Sequence, residues 1–461
     1  MRNAAQRPPL IIIIPGILGS SLSDKHGKIV YDIGNMKIPR MDPDRLTMDN
    51  DLYPVDLIEN FGIPFKQLVT GYGRLTDQLR LGMRLTKSDI ATSGPDNQRP
   101  EATLVKFPYD FRQSISKTAH LLNKEIRLRA DGRQVAIIAH SMGGLVANYW
   151  WTYLSDGIDV KRIVTIGTPY RGAPKALDML INGVRPGGVE LPGYSNCLRT
   201  WESPFALLPQ WKAIEGENSL LHPHELPDSV TKHIPQFEDR ASCAYDERKK
   251  LAEDTLKKIA QAGAHPFEIY YSQERYMKIR CRLAGPKLTL QTGAPYWLPE
   301  GREDGDGTVP MFAAIPEFLD TDDERWMRIS GSHQDLPNNT TPQGRITQLT
   351  TAPSPHFIQG APHDASINTL RLEMEDVVPA NTPSSICIHL SSSDTEDLDT
   401  TKIGGSIAHH TLNAERDGDR LVMSLPSLEE GVHTLRVRVR PIGTDEFTTF
   451  TASIGAARLD E

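Results

Sequence analysis

One serine of this sequence lies in a residue pattern that could make its hydroxyl group reactive. Residues 139–144 read AHSMGG, so Ser141 has a small residue two positions before it and another two positions after it. An apolar run precedes the serine and a helix-forming run follows it, which is the pattern of a sharp strand-to-helix turn that lifts a serine above a sheet. The backbone N–H of Met142, at the start of that helix, would face a developing oxyanion. The pattern predicts a nucleophile for acyl chemistry, although small-x-Ser-x-Gly matches also arise by chance.

A serine hydroxyl becomes a strong nucleophile only when an imidazole accepts its proton and a third group orients that imidazole. For a turn of this kind the expected chain order is serine, acid, histidine. Residues 303–310 read EDGDGTVP and provide Asp306 as the acid candidate. Residues 330–336 read SGSHQDL and provide His333 as the base candidate. The second stretch directly follows a predicted strand, and loops after strands are where such a sheet places its chemistry.

Other residues compete for these roles. Asp304 is the rival acid, and His356 and His363 are rival bases in a Pro-rich stretch with no strand before them. His140 adjoins the serine and is expected to point away from it. The Asp-Gly repeat also resembles part of a calcium loop, but the EF-hand position that requires Glu, counted from Asp304, holds Ile315.

Two histidine pairs suggest metal binding at first sight. His222 with His224, and His409 with His410, have no Cys, Asp or Glu partners at ligand spacing. We therefore expect no metal, and the serine chemistry requires no organic cofactor.

Short β-branched runs alternate with helical patterns up to about residue 335. This alternation predicts a doubly wound, mostly parallel α/β sheet, with the serine turn after its third strand. The predicted strands are 10–14, 103–107, 134–139, 162–166, 267–271 and 326–329, and the clearest predicted helices are 116–129 and 142–154.

Two stretches do not follow the alternation. Residues 172–265 are rich in Pro and Gly at first and in large apolar residues later, and a connection of that length is typical of a lid or an inserted subdomain. Residues 376–461 carry short alternating strands that predict a small all-β, immunoglobulin-like sandwich. We therefore predict a catalytic region over 1–350, a linker over 351–375 and the sandwich beyond it.

Composition narrows the function classes. The 461 residues carry a formal net charge of -8, which gives no general attraction to nucleic acid or to anionic lipid. The apolar run at 10–14 is too short for a signal peptide, and no stretch approaches the roughly 20 apolar residues that span a bilayer. We expect a cytoplasmic protein, with non-classical export left open. Its four cysteines are expected to be reduced, although two disulfides also fit that number: Cys197, Cys243, Cys281 and Cys387.

Five motifs, in order along the chain, resemble those of the lecithin:cholesterol acyltransferase-like family of α/β-hydrolases. They are PGILGSSL at 15–22, PYDFR at 108–112, AHSMGG at 139–144, GTPYRG at 167–172 and GDGTVP at 305–310. The family includes acyltransferases, lysosomal phospholipase A2 and bacterial lipase-like or esterase-like members. This sequence departs from its pattern with Ala139 at the turn and with Phe111 where the family has Trp. The resemblance covers most of the first 335 residues and implies an α/β-hydrolase fold.

The resemblance also implies roles for individual residues. It favours Asp306 over Asp304 as the acid, and it implies that the backbone N–H of Ile17 is a second oxyanion donor. The base, His333, follows mainly from its position after the last strand. The segment 172–265 would form a cap and lid whose large side chains contact acyl chains or a membrane surface, or else pack the cap's own core. Those side chains are Trp201, Phe205, Leu207, Leu208 and Trp211.

Together these features predict a serine-dependent acyl-ester hydrolase of the lipase, esterase or phospholipase type, acting on a lipid or a similarly hydrophobic ester. Acyl transfer to an alcohol acceptor is the alternative, because it uses the same acyl-enzyme. A non-catalytic binding scaffold is the third interpretation. The C-terminal sandwich is expected to bind a partner that the sequence does not identify.

Overall fold

The computed structural model describes thirteen segments of the chain. They are residues 8–33, 40–63, 66–94, 99–185, 191–216, 219–293, 303–318, 326–339, 370–375, 377–390, 403–417, 420–439 and 448–457. His356, His363 and most of the predicted linker lie outside these residues.

A parallel sheet of seven strands forms the centre of the first region. Its strands, in chain order, are Leu10–Ile14, Ile90–Thr92, Leu104–Lys106, Val135–His140, Val160–Ile166, Phe267–Tyr271 and Trp326–Arg328. Leu10–Ile14 pairs with Val135–Ala139 on one side and with Leu104–Lys106 on the other. Across the sheet the chain order of the strands is 7-6-5-4-1-3-2. All six predicted strands are present, and the short edge strand Ile90–Thr92 is the one that the sequence analysis missed.

The first strand shows why this apolar run forms a central strand. Successive side chains of a strand point to opposite faces, and here both faces are covered. Leu10, Ile12 and Ile14 pack into the larger core, while Ile11 and Ile13 pack into a second core on the opposite face. A polar residue at any of these positions would be buried without a partner.

Helices cover the sheet. Ser114 caps the helix Ile115–Ala130, since its side chain accepts a hydrogen bond from the Lys117 backbone N–H, and Asp131 ends it in the left-handed conformation. The other helices are Gly73–Gly82, Met142–Leu154, Pro174–Asn182, Pro192–Thr200, Ser203–Ala206, Asp228–Thr231, Phe237–Ala262 and Met311–Ala314. This arrangement confirms the predicted α/β-hydrolase fold.

The segment 172–265 is largely helical and ends in the long helix Phe237–Ala262. A small four-stranded sheet ties it to later residues, because Ile214–Glu215 pairs with Arg280–Ala284 outside the segment. The other two strands of this sheet are Leu220–Leu221 and Lys287–Gln291. The predicted insertion is therefore hydrogen-bonded to the chain that follows it.

Additional strands lie between the first strand of the central sheet and the helix Gly73–Gly82. Four of them form one antiparallel sheet and two form a hairpin. They are Ser20–Ser23, Ile29–Asp32, Arg40–Met41, Tyr53–Leu57, and the hairpin strands Asn60–Ile63 and Lys66–Thr70.

The C-terminal region is all-β and has its own hydrophobic core, with Ile386, Met423 and Leu435 among its buried members. Its strands are Leu370–Glu373, Val377–Pro379, Ser384–Leu390, Ile403–Ile407, His410–Asp417, Arg420–Leu425, Gly431–Val439 and Thr448–Ala457. The first of these falls inside the stretch predicted as linker.

That first strand joins the two regions. Leu372 pairs with Arg275 of the strand Arg275–Tyr276, and its backbone N–H donates to the Glu274 carbonyl at 3.0 Å. The strand Arg275–Tyr276 pairs in turn with Asp304–Gly305. One sheet therefore runs from the C-terminal region into the loop that carries the predicted acid.

All four cysteines stand as free thiols. Within the described segments, no helix has both the length and the apolar character that crossing a membrane requires.

Candidate active site

Ser141 lies between the strand Val135–His140 and the helix Met142–Leu154, in a strained backbone conformation with φ 51° and ψ -126°. A non-glycine residue at positive φ costs on the order of 1–3 kcal/mol and persists only where its surroundings enforce it. Here the Ser141 N–H donates to the Ile166 carbonyl at 2.8 Å, and the Ser141 carbonyl accepts from the Gly144 N–H at 3.0 Å. The turn is the nucleophile elbow that the sequence predicts.

The glycines after the serine are required by close contacts. A Cβ atom on Gly143 would lie 2.5 Å from the Pro15 carbonyl oxygen, and one on Gly144 would lie 1.9 Å from Thr168 Oγ1. Ala139, two positions before the serine, is fully buried, so its methyl group fits where the related pattern has glycine.

The structure brings Ser141, His333 and Asp306 together in order. His333 Nε2 lies 2.9 Å from Ser141 Oγ, and His333 Nδ1 lies 2.7 Å from Asp306 Oδ2. The three residues are 6%, 6% and 2% exposed, respectively. An ionised carboxylate only accepts hydrogen bonds, so Nδ1 carries the imidazole hydrogen and Nε2 is free to take the serine proton.

The acid loop holds its carboxylate firmly. Asp306 Oδ1 accepts hydrogen bonds from the backbone N–H groups of Thr308 at 2.9 Å and Val309 at 2.7 Å. Its backbone carbonyl accepts from the His333 N–H at 2.8 Å. Asp304, the rival acid, lies in the strand Asp304–Gly305 opposite Tyr276, and the carboxylate on His333 is that of Asp306.

Gly167 permits the contact between acid and base. It has φ +58°, and a Cβ there would lie 3.0 Å from Asp306 Oδ2 and 3.2 Å from His333 Nδ1. This contact gives a reason for the first residue of the GTPYRG motif. It must be glycine because Asp306 and His333 meet where a side chain at this position would begin.

The loop at 15–22 lies directly against the nucleophile. A Cβ on Gly16 would come within 2.8 Å of Ser141 Cβ and 3.4 Å of its Oγ. Tyr109 holds this loop, since its hydroxyl donates to the Pro15 carbonyl at 2.8 Å. Among the described residues, no backbone carbonyl outside the helices and strands accepts a hydrogen bond from the N–H of Ile17 or of Met142, the two predicted oxyanion donors.

The PYDFR motif has a supporting role. Arg112 is buried and pairs with Asp110 at 2.8 Å. Its guanidinium also donates to the carbonyls of Thr47 at 2.6 Å and Asn50 at 2.9 Å. The motif therefore fixes the chain around residues 46–50 and places Tyr109 beneath the loop at 15–22.

The sequence leaves two roles open for the large side chains of the cap, contact with lipid and packing inside the protein, and four of the five are packed inside the protein. Trp201, Phe205 and Leu208 are each 2% exposed and belong to the main core, as does Leu207. The indole N–H of Trp201 donates to the Leu46 carbonyl at 2.6 Å, and its ring packs edge-on against Phe111 at a centroid distance of 5.4 Å. Their hydrophobic surface is therefore covered by other parts of the protein.

Trp211 differs from the other four. It is partly buried, and its ring packs edge-on against Phe312 at a centroid distance of 4.9 Å. Phe312 follows the acid loop, so Trp211 supports that loop from the side of the cap.

Three further residues contact the site without having been predicted. Tyr72 and His140 hydrogen-bond to each other at 2.8 Å, and His140 Nε2 lies 3.0 Å from the His333 carbonyl oxygen. His140 therefore faces the base, which the sequence does not predict.

The Glu274 carboxylate accepts a hydrogen bond from the Gly331 N–H at 2.8 Å and so supports the base loop. Adjacency to Ser141 was the only sequence signal for His140, and Tyr72 and Glu274 lie in no motif.

Fold and site together define an α/β-hydrolase with a serine–histidine–aspartate arrangement at a nucleophile elbow. The family model of lecithin:cholesterol acyltransferase matches residues 97–266, which include the elbow and all of the segment 172–265. The resemblance that the motifs indicate is confirmed over those residues.

Two Arabidopsis thaliana proteins match over a short stretch. Phospholipase A(1) LCAT3 is 36% identical over 91 residues, which cover 18% of this chain and 20% of that protein. Lecithin-cholesterol acyltransferase-like 4 is 36% identical over 90 residues, which cover 18% of this chain and 17% of that protein. The matched part thus spans about a fifth of the length of these relatives.

Among solved structures, a Tle4–Tli4 complex chain aligns at TM-score 0.48 and 13% identity, covering 75% of this chain and 98% of the other. Phospholipase PlaB from Legionella pneumophila aligns at TM-score 0.30 and 11% identity, covering 96% and 90%.

Proposed function

We propose that this protein is a serine-dependent acyl-ester hydrolase whose substrate is a lipid or a similarly hydrophobic ester. The observation that carries the proposal is the hydrogen-bonded order Ser141, His333, Asp306 at a strained elbow. Such strain and such order have a direct chemical use, because they present a hydroxyl to a base of the correct tautomer.

The reaction would run through an acyl-enzyme. His333 Nε2 takes the proton of Ser141 as Oγ attacks the ester carbonyl, and the negative oxygen of the tetrahedral intermediate accepts hydrogen bonds from the N–H groups of Ile17 and Met142. Collapse breaks the ester C–O bond, and His333 returns the proton to the departing alcohol. Water then attacks the acyl-enzyme with His333 again as base, releasing the acid and restoring Ser141. Asp306 keeps the imidazole oriented and stabilises its protonated form throughout.

The substrate class rests on the family match and on the relative described as a phospholipase A(1). A glycerophospholipid is therefore the first natural ester to test. Acyl transfer is the second candidate, favoured by the lecithin:cholesterol acyltransferase model itself, and it differs only in that an alcohol replaces water on the acyl-enzyme.

The test compares hydrolysis of p-nitrophenyl esters of increasing acyl length by the wild type and by Ser141→Ala, His333→Ala and Asp306→Asn. Removal of the nucleophile or the base should lower kcat by about 10⁴-fold or more. A fluorophosphonate probe should label the wild type and leave Ser141→Ala unlabelled. An added long-chain alcohol distinguishes transfer from hydrolysis through the ratio of alkyl ester to free acid. Absence of both turnover and labelling in the wild type would overturn the proposal.

A further inference from the structure

A buried tyrosine and a buried histidine join the two loops that flank the nucleophile. Tyr72 precedes the helix Gly73–Gly82, and His140 is the last residue of the elbow strand. Tyr72 Oη lies 2.8 Å from the Gly16 backbone nitrogen and 2.8 Å from His140 Nδ1. His140 Nε2 lies 3.0 Å from the His333 carbonyl oxygen. The result is a continuous chain of hydrogen bonds from the oxyanion loop to the base loop.

The chemistry of these groups fixes the direction of each hydrogen bond. The His333 carbonyl only accepts, so His140 Nε2 carries a hydrogen and donates it. Burial, reinforced by the nearby His333 ring, lowers the pKa of His140 well below its ordinary value, so the ring is neutral and Nδ1 accepts. Tyr72 therefore donates its hydroxyl hydrogen to Nδ1, and its oxygen accepts the Gly16 N–H. Burial raises the pKa of Tyr72, which keeps that hydroxyl protonated.

Each end of this chain acts on a group of the site. At one end, the bond engages the N–H of Gly16 and so fixes the Pro15–Gly16 peptide, which directly precedes the peptide that carries the N–H of Ile17, the proposed oxyanion donor. At the other end, the His333 carbonyl is held by His140 while its N–H donates to the Asp306 carbonyl at 2.8 Å. Both backbone polar groups of the base are therefore fixed.

A second bond secures the same segment. Asn338, five residues after the base, donates from its side-chain Nδ2 to the Gly71 carbonyl at 2.7 Å. The start of the helix Gly73–Gly82 is thus tied to the base loop from two directions, through Asn338 and through His140.

We propose that Tyr72 and His140 are positioning residues, which hold the oxyanion loop and the base loop at a fixed separation around Ser141. The proposal rests on the proposed function, because this separation matters only if His333 acts as the base. A neutral His140 has a further use, since the His333 ring centroid is 4.9 Å away. It places no second positive charge beside the base when the base takes the serine proton.

The first test is Tyr72→Phe, which keeps the ring and removes only the hydroxyl. We expect kcat for a short p-nitrophenyl ester to fall about tenfold or more with KM changed by less than about twofold, since a lost positioning bond acts on the transition state. The rate is expressed per serine titrated by a fluorophosphonate. A role in folding alone would lower the titrated fraction and leave the rate per titrated serine unchanged.

Tyr170→Phe is the matched control. Tyr170 is also buried, and its hydroxyl donates to Thr165 Oγ1 at 3.2 Å, away from both loops. The Tyr170→Phe variant loses a buried hydroxyl hydrogen bond of the same kind as Tyr72→Phe does. Its kcat per titrated serine should stay within about twofold of the wild-type value.

The second test compares two substitutions of the histidine. In His140→Gln the side-chain amide offers one donor and one acceptor, as the neutral imidazole does, and should keep most of kcat. His140→Leu offers neither and should lose about tenfold or more. If His140→Leu does not fold, the Tyr72→Phe result decides.

Two results would overturn the positioning role: Tyr72→Phe matching the Tyr170→Phe control in kcat per titrated serine, or His140→Leu matching His140→Gln. A wild type that is neither labelled nor active would overturn the proposed function and this inference with it. A labelled, active wild type beside an unaffected Tyr72→Phe would overturn this inference alone.

Discussion

Gly167→Ala offers a quantitative test of how the acid and the base meet. The added methyl carbon would lie 3.0 Å from Asp306 Oδ2 and 3.2 Å from His333 Nδ1. These atoms form the 2.7 Å bond of the site and must move by a few tenths of an ångström. A hydrogen bond to a charged group contributes about 1.5–3 kcal/mol, so loss of most of this contribution should cost about 1.4–2.8 kcal/mol of transition-state stabilisation. We expect kcat/KM to fall about 10–100-fold.

Alanine at position 167 also has an energetic cost from the positive φ alone, and this cost must be measured separately from the contact of the methyl group with Asp306 and His333. Gly157 has φ +77°, close to the +58° of Gly167, and a Cβ there would meet nothing within 4 Å. Gly157→Ala should therefore lose about 1 kcal/mol of stability through the left-handed conformation alone and keep its activity. Both variants are assayed for kcat/KM on a p-nitrophenyl ester and for Tm. If Gly167→Ala keeps more than half of the wild-type kcat/KM, the argument that this glycine is required for the acid–base contact is refuted.

Three further predictions follow from the same geometry. Asp306→Asn should lower kcat by about 10³–10⁴-fold because the amide favours the wrong imidazole tautomer, while Asp304→Asn should stay within about tenfold; equal losses in the two would contradict the choice of acid. Ser141→Gly should abolish turnover and raise the free energy of unfolding by about 1 kcal/mol, since glycine relieves the positive φ; an unchanged or lower Tm would contradict the strain. The pKa of His140, which faces Tyr72 and His333, is lowered from 6.5, so below that pH the unfolded chain binds a proton that the folded chain does not. As the pH is lowered from 7.5 to 5, the free energy of unfolding should therefore decrease, by up to about 1.4 kcal/mol per pH unit from this residue. Thermal unfolding at each pH measures this decrease, which should be smaller in His140→Gln.

The strands and site residues that the sequence predicts are those for which the local residue pattern and the order along the chain point to the same structure. Leu10–Ile14 and Phe267–Tyr271 have the predicted bounds because short runs rich in β-branched or aromatic residues favour buried strands. Ser141, Asp306 and His333 were selected by motif and by chain order, and the structure places them within hydrogen-bonding distance.

Other features depend on tertiary contacts that no local pattern encodes. The edge strand Ile90–Thr92 has three residues, too few to show a period. Aromatic content in the cap predicts burial equally well against acyl chains and against protein, and Trp201 and Phe205 are buried against protein. The contact of His140 with the backbone of His333 joins residues 193 positions apart, so no local pattern around His140 predicts it.

The shared sheet between the two regions limits how this chain can be divided. Because Leu372 pairs with Arg275, a protein cut before residue 370 would lose one of the two partners of the strand Arg275–Tyr276. That strand would become an open sheet edge, a template on which other chains add, beside the loops of Asp306 and His333. The C-terminal region is thus a poor candidate for exchange as a cassette, since each replacement must bring its own first strand in the same register.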